Sequence, residues 1–296
     1  MTGEAGTRYG HQPLFGVILT PDAHRPDRVV ELAVRAESAG LDLVGIADHQ
    51  YRPGFLDAWT LLGWVAARTR RVSVLPDVAN LMLRPPAGLA RAAATLDLLS
   101  GGRVELGLGA GGHGPASRSE GGPDLATGER IDAFAEAVRI IRALTTPGPP
   151  ITVRGSHHRV EGAVPGPVPA HPIGLWLGGV GPRMLRLVGR LGDGWIPSAT
   201  RIPPEALDGA QAVIDRAARA AGRDPRLIRR LYNLPGPDNL RAPTGASSAS
   251  SRTWAAGLAE IALRHGISGF LLFTDDPDTI TRYGDEVAPA VRAALR

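Results

Sequence analysis

Apolar and polar positions along the chain alternate between two patterns, a short continuous apolar run and a longer stretch with helical periodicity. The first run covers residues 14–19 and ends at Thr20-Pro21-Asp22. In residues 28–38 the apolar side chains recur at three- and four-residue spacing, and Gly40 follows at a position typical of a helix end. A short run with both faces apolar predicts a strand of a parallel sheet, and the periodic stretch predicts the helix that returns the chain.

This strand-then-helix unit is predicted eight times along the chain. The predicted strands cover residues 14–19, 43–47, 71–75, 104–108, 173–177, 194–196, 227–234 and 270–273. The predicted helices cover residues 28–38, 56–68, 88–99, 130–144, 181–189, 204–221, 254–265 and 278–295. A small hairpin is predicted at residues 151–160. Because open doubly wound sheets usually have fewer units, the pattern predicts an α/β fold of the (β/α)8 TIM barrel type.

We expect one barrel domain over residues 13–296, after a disordered N-terminal segment at residues 1–12. Two Gly- and Pro-rich loop insertions are predicted, at residues 109–128 after strand 4 and at residues 235–251 after strand 7. The first dozen residues lack the apolar segment of a signal peptide, and no apolar run approaches the ~18 residues of a membrane span. The sequence therefore predicts a cytoplasmic protein that has no contact with membranes.

Composition narrows the classes of partner. The 296 residues contain no Cys, which excludes disulfides and Cys-based zinc sites, and the His and carboxylate residues lack metal-site spacing. All 33 basic residues are Arg, interleaved with 29 acidic residues to a net charge of +4. Without a basic stripe, nucleic-acid binding is not expected. Because the guanidinium binds phosphate through a bidentate fork, individual arginines are still candidates for contacts with an anionic cofactor.

Catalytic and binding groups of a TIM barrel lie where the strands end and the following loops begin. The candidates at these positions are Asp22 after strand 1, Asp48 and His49 after strand 2, Asp77, Val78 and Asn80 after strand 3, Gly109, Ala110 and Gly111 after strand 4, and Gly178, Gly179, Gly181 and Arg183 after strand 5. An alternative interpretation makes Asp48 a capping residue and His49 a solvated loop residue. Their place at a barrel strand end favours the functional interpretation.

The glycine-rich turn after strand 5 leads directly into a predicted helix. Glycines allow the backbone to approach a ligand closely, and a helix N-terminus presents free N–H groups to an anion. Residues 178–181 therefore predict a phosphate site, to which Arg183 would add positive charge unless it faces water. The turn after strand 4 matches a dinucleotide fingerprint only weakly, because the full spacing is absent.

Several longer motifs resemble the luciferase-like flavin- or deazaflavin-dependent oxidoreductases. In the first half these are Asp48-His49, PGFLDAWTLL at residues 53–62, LRPPA at 83–87, ATLDLLSGGR at 94–103 and LGLGAG at 106–111. In the second half they are WLGGVGPR at residues 176–183 and GDGWIPS at 192–198. The motifs follow in this order from Leu14 onward, and the sequence is more similar to the F420-dependent branch than to bacterial luciferase itself.

The resemblance implies roles for the candidate residues. The family fold is a (β/α)8 barrel, in agreement with the count of units. Asp48 and His49 would lie beside the deazaflavin ring, with His49 as the proton-handling group, and Asp22 would present a carboxylate to the substrate. A non-prolyl cis peptide is expected at Asp77-Val78, against the central ring of the cofactor. The turns at Gly109, Ala110 and Gly111 and at Gly178, Gly179 and Gly181 would hold the cofactor tail and its phosphate, with Asn80 and Arg183 as further contacts.

The function implied is hydride transfer between coenzyme F420 and a small organic substrate. An alternative is an FMN-dependent monooxygenase that takes reduced flavin from a partner reductase and activates O₂. A second alternative is a barrel that binds flavin without catalysis. A homodimer is implied by the resemblance alone.

One departure from the family bears on the substrate. Some F420-dependent dehydrogenases carry a Glu directly after the strand-4 glycine turn as proton donor, but Gly112 occupies that position here, followed by His113. The Lys residues that bind the substrate phosphate in the sugar-phosphate dehydrogenases are also absent from a chain without Lys. The expected substrate is therefore not a sugar phosphate.

Overall fold

The computed structural model describes residues 8–111, 114–235 and 250–296. Its strands are β1 (Leu14–Leu19), β2 (Leu43–Ile46), β3 (Ser73–Pro76), β4 (Ala79–Asn80), β5 (Leu106–Gly109), β6 (Ile151–Arg154), β7 (Arg159–Ala163), β8 (Leu175–Leu177), β9 (Gly194–Trp195), β10 (Arg229–Leu234) and β11 (Gly269–Phe273). Its helices are α1 (Pro26–Ser38), α2 (Ala58–Arg68), α3 (Pro86–Ser100), α4 (Gly114–Ser119), α5 (Thr127–Thr145), α6 (Pro182–Leu191), α7 (Leu207–Ala220), α8 (Ser251–His265), α9 (Pro277–Arg282) and α10 (Ala288–Ala294).

The main sheet curves into a barrel of parallel strands. Its strand order is β3-β2-β1-β11-β10-β9-β8-β5-β4. Strands β3 and β4 are the two halves of one barrel strand, interrupted at Asp77 and Val78, and the first half pairs with β2 while the second pairs with β5. A further parallel bridge joins Val74 to Val104 on the other side of the interruption. The described residues thus occupy eight strand positions, and the predicted (β/α)8 barrel is confirmed.

Several helices begin and end at residues that are typical helix caps. The Asp57 carboxylate accepts a hydrogen bond from the Thr60 N–H at the start of α2, and the Ser250 hydroxyl accepts one from the Thr253 N–H at the start of α8. Helix α3 ends at Gly101, whose φ of 72° is the left-handed conformation that glycine adopts without a steric penalty. Helix α8 therefore begins three residues before the predicted start, because Ser250 supplies the cap.

Buried side chains form two layers, one between the strands and the surrounding helices and one inside the barrel. The interior layer consists of Ile18, Leu43, Leu75, Trp176, Ile196, Leu231 and Leu271. These side chains fill the barrel, so that a ligand can enter only at the end where the strands meet their helix-forming loops. Val78 packs against the interior layer and is only partly buried.

The hairpin, the two loop insertions and the last helix were also predicted, with different outcomes. The hairpin is present as antiparallel β6 and β7, and the insertion after strand 4 contains α4, a short helix that the sequence pattern did not predict. The last helix is divided by a π-helical turn at Tyr283–Val287. Most of the insertion after strand 7, residues 236–249, lies outside the described residues.

The N-terminal segment is described only from Arg8. Tyr9, within the segment predicted to be disordered, is buried, and its hydroxyl donates a hydrogen bond to Asp215. Residues 1–7 lie outside the described residues. None of the helices described is long and apolar enough for a membrane crossing.

Candidate active site

A cleft of about 530 Å³ lies at the carboxyl end of the barrel strands. It is lined by most of the residues that the sequence singled out, namely Asp48, His49, Asp77, Val78, Asn80, Gly109, Ala110, Gly111, Gly178, Gly179 and Gly181. Two candidates, Asp22 and Arg183, are not among the described residues that line it. The cleft therefore brings together side chains and turns from strands 2 to 5, as the strand-end rule predicts.

The floor of the cleft is formed where strand 3 is interrupted. The peptide bond between Asp77 and Val78 is cis, as the resemblance implied. The neighbouring strand is glycine-rich for a steric reason: a Cβ on Gly109 would lie 2.6 Å from Cγ2 of Val78, and one on Gly107 would lie 2.3 Å from the Pro76 carbonyl oxygen. Glycine at these positions makes room for Val78, whose side chain presents an apolar surface to the cleft.

Asp48 is held by a bidentate ion pair. Its carboxylate oxygens accept hydrogen bonds from Nε and Nη2 of Arg84, each at 2.8 Å, and Oδ2 also accepts the Asn80 N–H at 3.1 Å. Nη2 of Arg84 donates a further hydrogen bond to Asp57 at 2.6 Å. Burial opposes the charge on Arg84, but the hydrogen bonds that it donates to the Asp48 and Asp57 carboxylates raise its pKa above the usual value. The geometry makes Asp48 a residue that positions the loop carrying His49, and its predicted catalytic role stays a prediction.

His49 lies on the cleft wall next to Tyr51. The Tyr51 hydroxyl oxygen is 2.8 Å from Nδ1 of His49, and the two rings are tilted with their centroids 5.6 Å apart. Burial raises the pKa of Tyr51, and nearby Arg52 opposes that shift. The hydrogen bond orients the imidazole and places a phenolic hydroxyl in the same cleft. Sequence reasoning missed Tyr51, although it lies in the same strand-end loop, two residues after His49.

Asp77 forms the second polar contact of the cleft, with Asn233 at the end of strand 7. Nδ2 of Asn233 donates a hydrogen bond of 2.9 Å to Oδ1 of Asp77. Burial raises the pKa of Asp77 to about 7, although the Asn233 hydrogen bond opposes the shift. Oδ2 of Asp77 and Oδ1 of Asn233 are both buried and have no hydrogen-bond partner among the described residues. Asn233 was missed because the prediction took no candidate from the end of strand 7.

The glycine turn after strand 5 forms one rim of the cleft. Gly179 has a φ of 149°, and a Cβ there would lie 2.8 Å from Cβ of Met184. Nε1 of Trp195 donates a hydrogen bond of 3.0 Å to the Gly179 carbonyl oxygen, which holds the turn in place. Gly181 is the N-cap residue of α6, with φ −78° and open space around a Cβ. Gly181 and Met184 line the cleft, so the start of α6 borders it, and a helix N-terminus is suited to an anion.

Two arginines that the sequence did not indicate also line the cleft, Arg130 on α5 and Arg201 after β9. Arg130 donates a hydrogen bond of 3.1 Å to the hydroxyl of Thr127, which lines the cleft too. Together with the α6 N-terminus, these guanidinium groups bring positive charge to the cleft. In the sequence, Arg130 and Arg201 cannot be distinguished from arginines on the protein surface. The fold was therefore needed to identify them as residues of the cleft.

Arg183 and Asp22 are positioned for other contacts. The Arg183 guanidinium forms an ion pair with Asp132 and donates a hydrogen bond of 3.1 Å to the Gly128 carbonyl oxygen, so its charge is directed at α5. Asp22 stabilises a turn, because Oδ1 accepts the His24 N–H at 2.9 Å. Gly112 and His113 lie outside the described residues. Within the described part of the chain, no group of His, Asp and Glu has the arrangement of a metal site.

Comparison with known proteins gives a consistent result. The sequence pattern of a family described as luciferase-like monooxygenase matches residues 7–236. An F420-dependent glucose-6-phosphate dehydrogenase of Nakamurella multipartita is 31% identical, over 95% of this chain and 81% of that protein. An F420-dependent hydroxymycolic acid dehydrogenase of Mycobacterium tuberculosis is 33% identical, over 81% of this chain and 70% of that protein.

The fold is shared with solved structures as well. An F420-dependent secondary alcohol dehydrogenase, solved with an F420–acetone adduct, superposes with a TM-score of 0.82. The match covers 95% of this chain and 99% of that one, at 23% identity. At this level of identity the match shows the barrel fold.

Proposed function

The chain belongs to the luciferase-like monooxygenase family, and from that premise we propose that it is an oxidoreductase that uses coenzyme F420 to transfer a hydride to or from a small organic substrate. The observation that carries the proposal is the similarity of more than 30% to two F420-dependent dehydrogenases over at least four fifths of this chain. The cleft supports it, because most of its polar groups lie at or just after the carboxyl ends of the barrel strands.

The residues of the cleft fit a flat ring with an anionic tail. Val78 lines the cleft with an apolar side chain, and Gly109, Gly178 and Gly179 line it without side chains of their own. The α6 N-terminus, Arg130 and Arg201 supply N–H groups and positive charge to the cleft, which suit a phosphate. When bound there, the deazaflavin supplies the hydride acceptor or donor, and the protein contributes orientation and electrostatics.

The residues of the cleft have different roles in the proposed reaction. Asp48, fixed by Arg84, positions the loop after β2, and His49 with Tyr51 presents exchangeable protons to the cleft. Val78 contributes an apolar side chain to the cleft, and Asp77 and Asn233 contribute a buried polar pair. This division is consistent with the proton-handling role that the sequence predicts for His49.

The proposal extends to assembly and location. A homodimer is supported by three exposed apolar side chains on the neighbouring helices α2 and α3, namely Trp64, Leu98 and Leu99. We further propose a cytoplasmic location, in which the protein acts on a small molecule and does not bind nucleic acid or membranes. Sedimentation velocity of the purified protein tests the dimer, and a single monomeric species would contradict it.

The test of cofactor identity is side-by-side fluorescence titration of the purified apo-protein with F420 and with FMN. We expect micromolar or tighter binding of F420 and much weaker binding of FMN, followed by turnover in a panel of alcohols, imines and conjugated alkenes. A preference for FMN would assign the protein to the monooxygenases and require a flavin reductase as partner. Binding without turnover of any substrate would support the non-catalytic alternative, and failure to bind either would contradict the proposal.

A charge placed at the α6 N-terminus tests the phosphate site. Gly181→Asp should fold normally, because the added Cβ has open space and Asp is a favoured N-cap residue. Its carboxylate would repel the cofactor phosphate, so the Kd for F420 should rise at least about tenfold, equivalent to about 1.4 kcal/mol. Gly209→Asp is the matched control, since Gly209 is exposed near the start of α7 with equal open space and does not line the cleft. Equal Kd values for the two variants would place the phosphate elsewhere.

A further inference from the structure

The contact between Asp77 and Asn233 leaves two buried oxygen atoms at the cleft. Oδ1 of Asp77 accepts the amide N–H of Asn233, whereas Oδ2 of Asp77 and Oδ1 of Asn233 have no partner among the described residues. A buried polar atom without a partner is costly, and such atoms are rare in proteins. Two of them on one contact, both on residues that line the cleft, point to a ligand that donates to one and exchanges a proton with the other.

The environment of Asp77 allows both the protonated and the ionised form of its carboxyl group. The charged and titratable groups that line the same cleft are Asp48, His49 and Tyr51 from the loop after β2, Arg130 from α5 and Arg201 after β9. Asp48 is already neutralised by Arg84. The pKa of Asp77 is raised to about 7 by burial, and the one opposing contribution is the Asn233 hydrogen bond, so no ion pair fixes the carboxylate. A carboxyl group with a pKa near neutrality is suited to general acid–base catalysis.

We propose that Asp77 is a catalytic acid–base that exchanges a proton at Oδ2 with the oxygen atom of the substrate. The Asn233 amide holds the carboxyl group in place by its hydrogen bond to Oδ1 of Asp77. The assignment rests on the proposed function. In the oxidation of an alcohol, the C–H bond breaks and its hydrogen and electron pair pass to F420 as hydride. The O–H bond breaks, its proton passes to Asp77 Oδ2, and the C=O double bond forms. Reduction of a carbonyl reverses each step, with Asp77 as the acid.

The first test reads the carboxyl group directly in the apo-protein, because His49 lines the same cleft and kinetics alone cannot assign a pH dependence to one of the two side chains. Protein labelled with ¹³C at the Asp side-chain carboxyl is titrated by NMR from pH 4 to pH 9. We expect one resonance with a midpoint near pH 7 that is absent from Asp77→Asn. In Asn233→Ala the midpoint should move upward, because the hydrogen bond that favours the carboxylate is lost. A midpoint below pH 5 for Asp77 would overturn the assignment.

The second test uses turnover with F420 and the best substrate of the panel. Asp77→Asn should lower kcat by about 10²–10⁴-fold, the range for loss of a general acid–base, with the Kd for F420 within about threefold of the wild type. For alcohol oxidation the wild-type rate should rise with pH through the midpoint found by NMR, and in Asn233→Ala this rise should shift to higher pH. For carbonyl reduction the rate should fall over the same range.

The outcomes separate this assignment from the proposed function. If the wild-type protein turns over with F420 but Asp77→Asn retains more than about a third of kcat, the proposed function stands and the role of Asp77 is wrong. If the wild type does not bind F420, both are wrong. Should Asp77→Asn fail to fold, as monitored by circular dichroism, the shift of the pH profile in Asn233→Ala decides, and an unshifted profile would overturn the assignment.

Discussion

The ion pair between Arg84 and Asp48 provides a quantitative test of how the cleft is held together. Arg84→Met removes the guanidinium while keeping most of the aliphatic part of the side chain. The Asp48 side chain is 0% exposed and that of Arg84 is 16% exposed, so the variant leaves a carboxylate buried without its cation. Among the described residues, the Asn80 N–H is then the hydrogen-bond partner that Asp48 retains.

The magnitude follows from this burial. Breaking a buried ion pair by removing one partner costs about 3–5 kcal/mol, because the remaining charge is uncompensated. The Asp57 carboxylate also loses its contact with Arg84, but it still accepts the Thr60 N–H, so the start of α2 should persist. We therefore expect Arg84→Met to lower the free energy of unfolding by about 3–5 kcal/mol.

The matched control is Arg118→Met, which makes the same chemical change in an exposed pair. Arg118 is 47% exposed and its partner Asp124 is 71% exposed, and exposed pairs contribute about 0–1 kcal/mol. Both variants are measured by urea unfolding at pH 7 and constant salt. Adding Asp48→Asn to Arg84→Met should restore part of the lost stability, since the unpaired charge is removed. A loss for Arg84→Met no larger than that for Arg118→Met, or no recovery in the double variant, would refute the reasoning.

Three further predictions address other parts of the molecule. His171 hydrogen-bonds to Asp97 at 2.8 Å, and its pKa is raised, chiefly by Glu105 and against the effect of burial. A raised folded-state pKa gives stability that is present below the unfolded value of about 6.5 and is lost as the pH rises through the folded value. Urea unfolding from pH 5.5 to pH 8.5 should therefore show the wild type losing its advantage over His171→Asn as the pH rises, and a constant difference would contradict the assignment. Gly107→Ala should destabilise the barrel by about 1–3 kcal/mol or more, because the new Cβ would lie 2.3 Å from the Pro76 carbonyl oxygen. Gly63→Ala, in α2 with open space around the new Cβ, should instead stabilise the protein by about 0.5–1 kcal/mol. In thermal unfolding, the Tm should fall for Gly107→Ala and rise for Gly63→Ala, and a change in the same direction for both variants would contradict this. His49→Gln should lower kcat more than about tenfold while the Kd for F420 changes by a few fold at most, and an unchanged kcat would remove the imidazole from the mechanism.

The local pattern of the sequence was sufficient for the elements and their order. Residues 14–19 and 28–38 differ in period because strands bury alternate or all positions over a short length, whereas helices bury one face. These periods depend on near neighbours in the chain, so eight units and a barrel could be predicted without any long-range information. The positions of Asp48, His49 and Asp77 followed from the same pattern, since each comes directly after a predicted strand.

Boundaries and exceptions depended on details that periodicity does not contain. The strand predicted at residues 71–75 corresponds to β3, and β4 continues the same barrel strand beyond the interruption at Asp77 and Val78. Helix α4 lies in a Gly- and Ser-rich segment without an apolar period, and was missed for that reason. The cis peptide came from the resemblance and from no property of the local residues.

What the sequence determined by itself is therefore the fold and the side chains that lie at the strand ends, because both are properties of short segments. Which partners those side chains have was decided by the tertiary structure. Asn233 contacts Asp77 from 156 positions away, and Arg84 contacts Asp48 from 36 positions away. Arg183 forms an ion pair with Asp132 and does not line the cleft. These pairings exist only once the barrel has closed and burial has made an unpaired charge costly, so no local pattern could predict them.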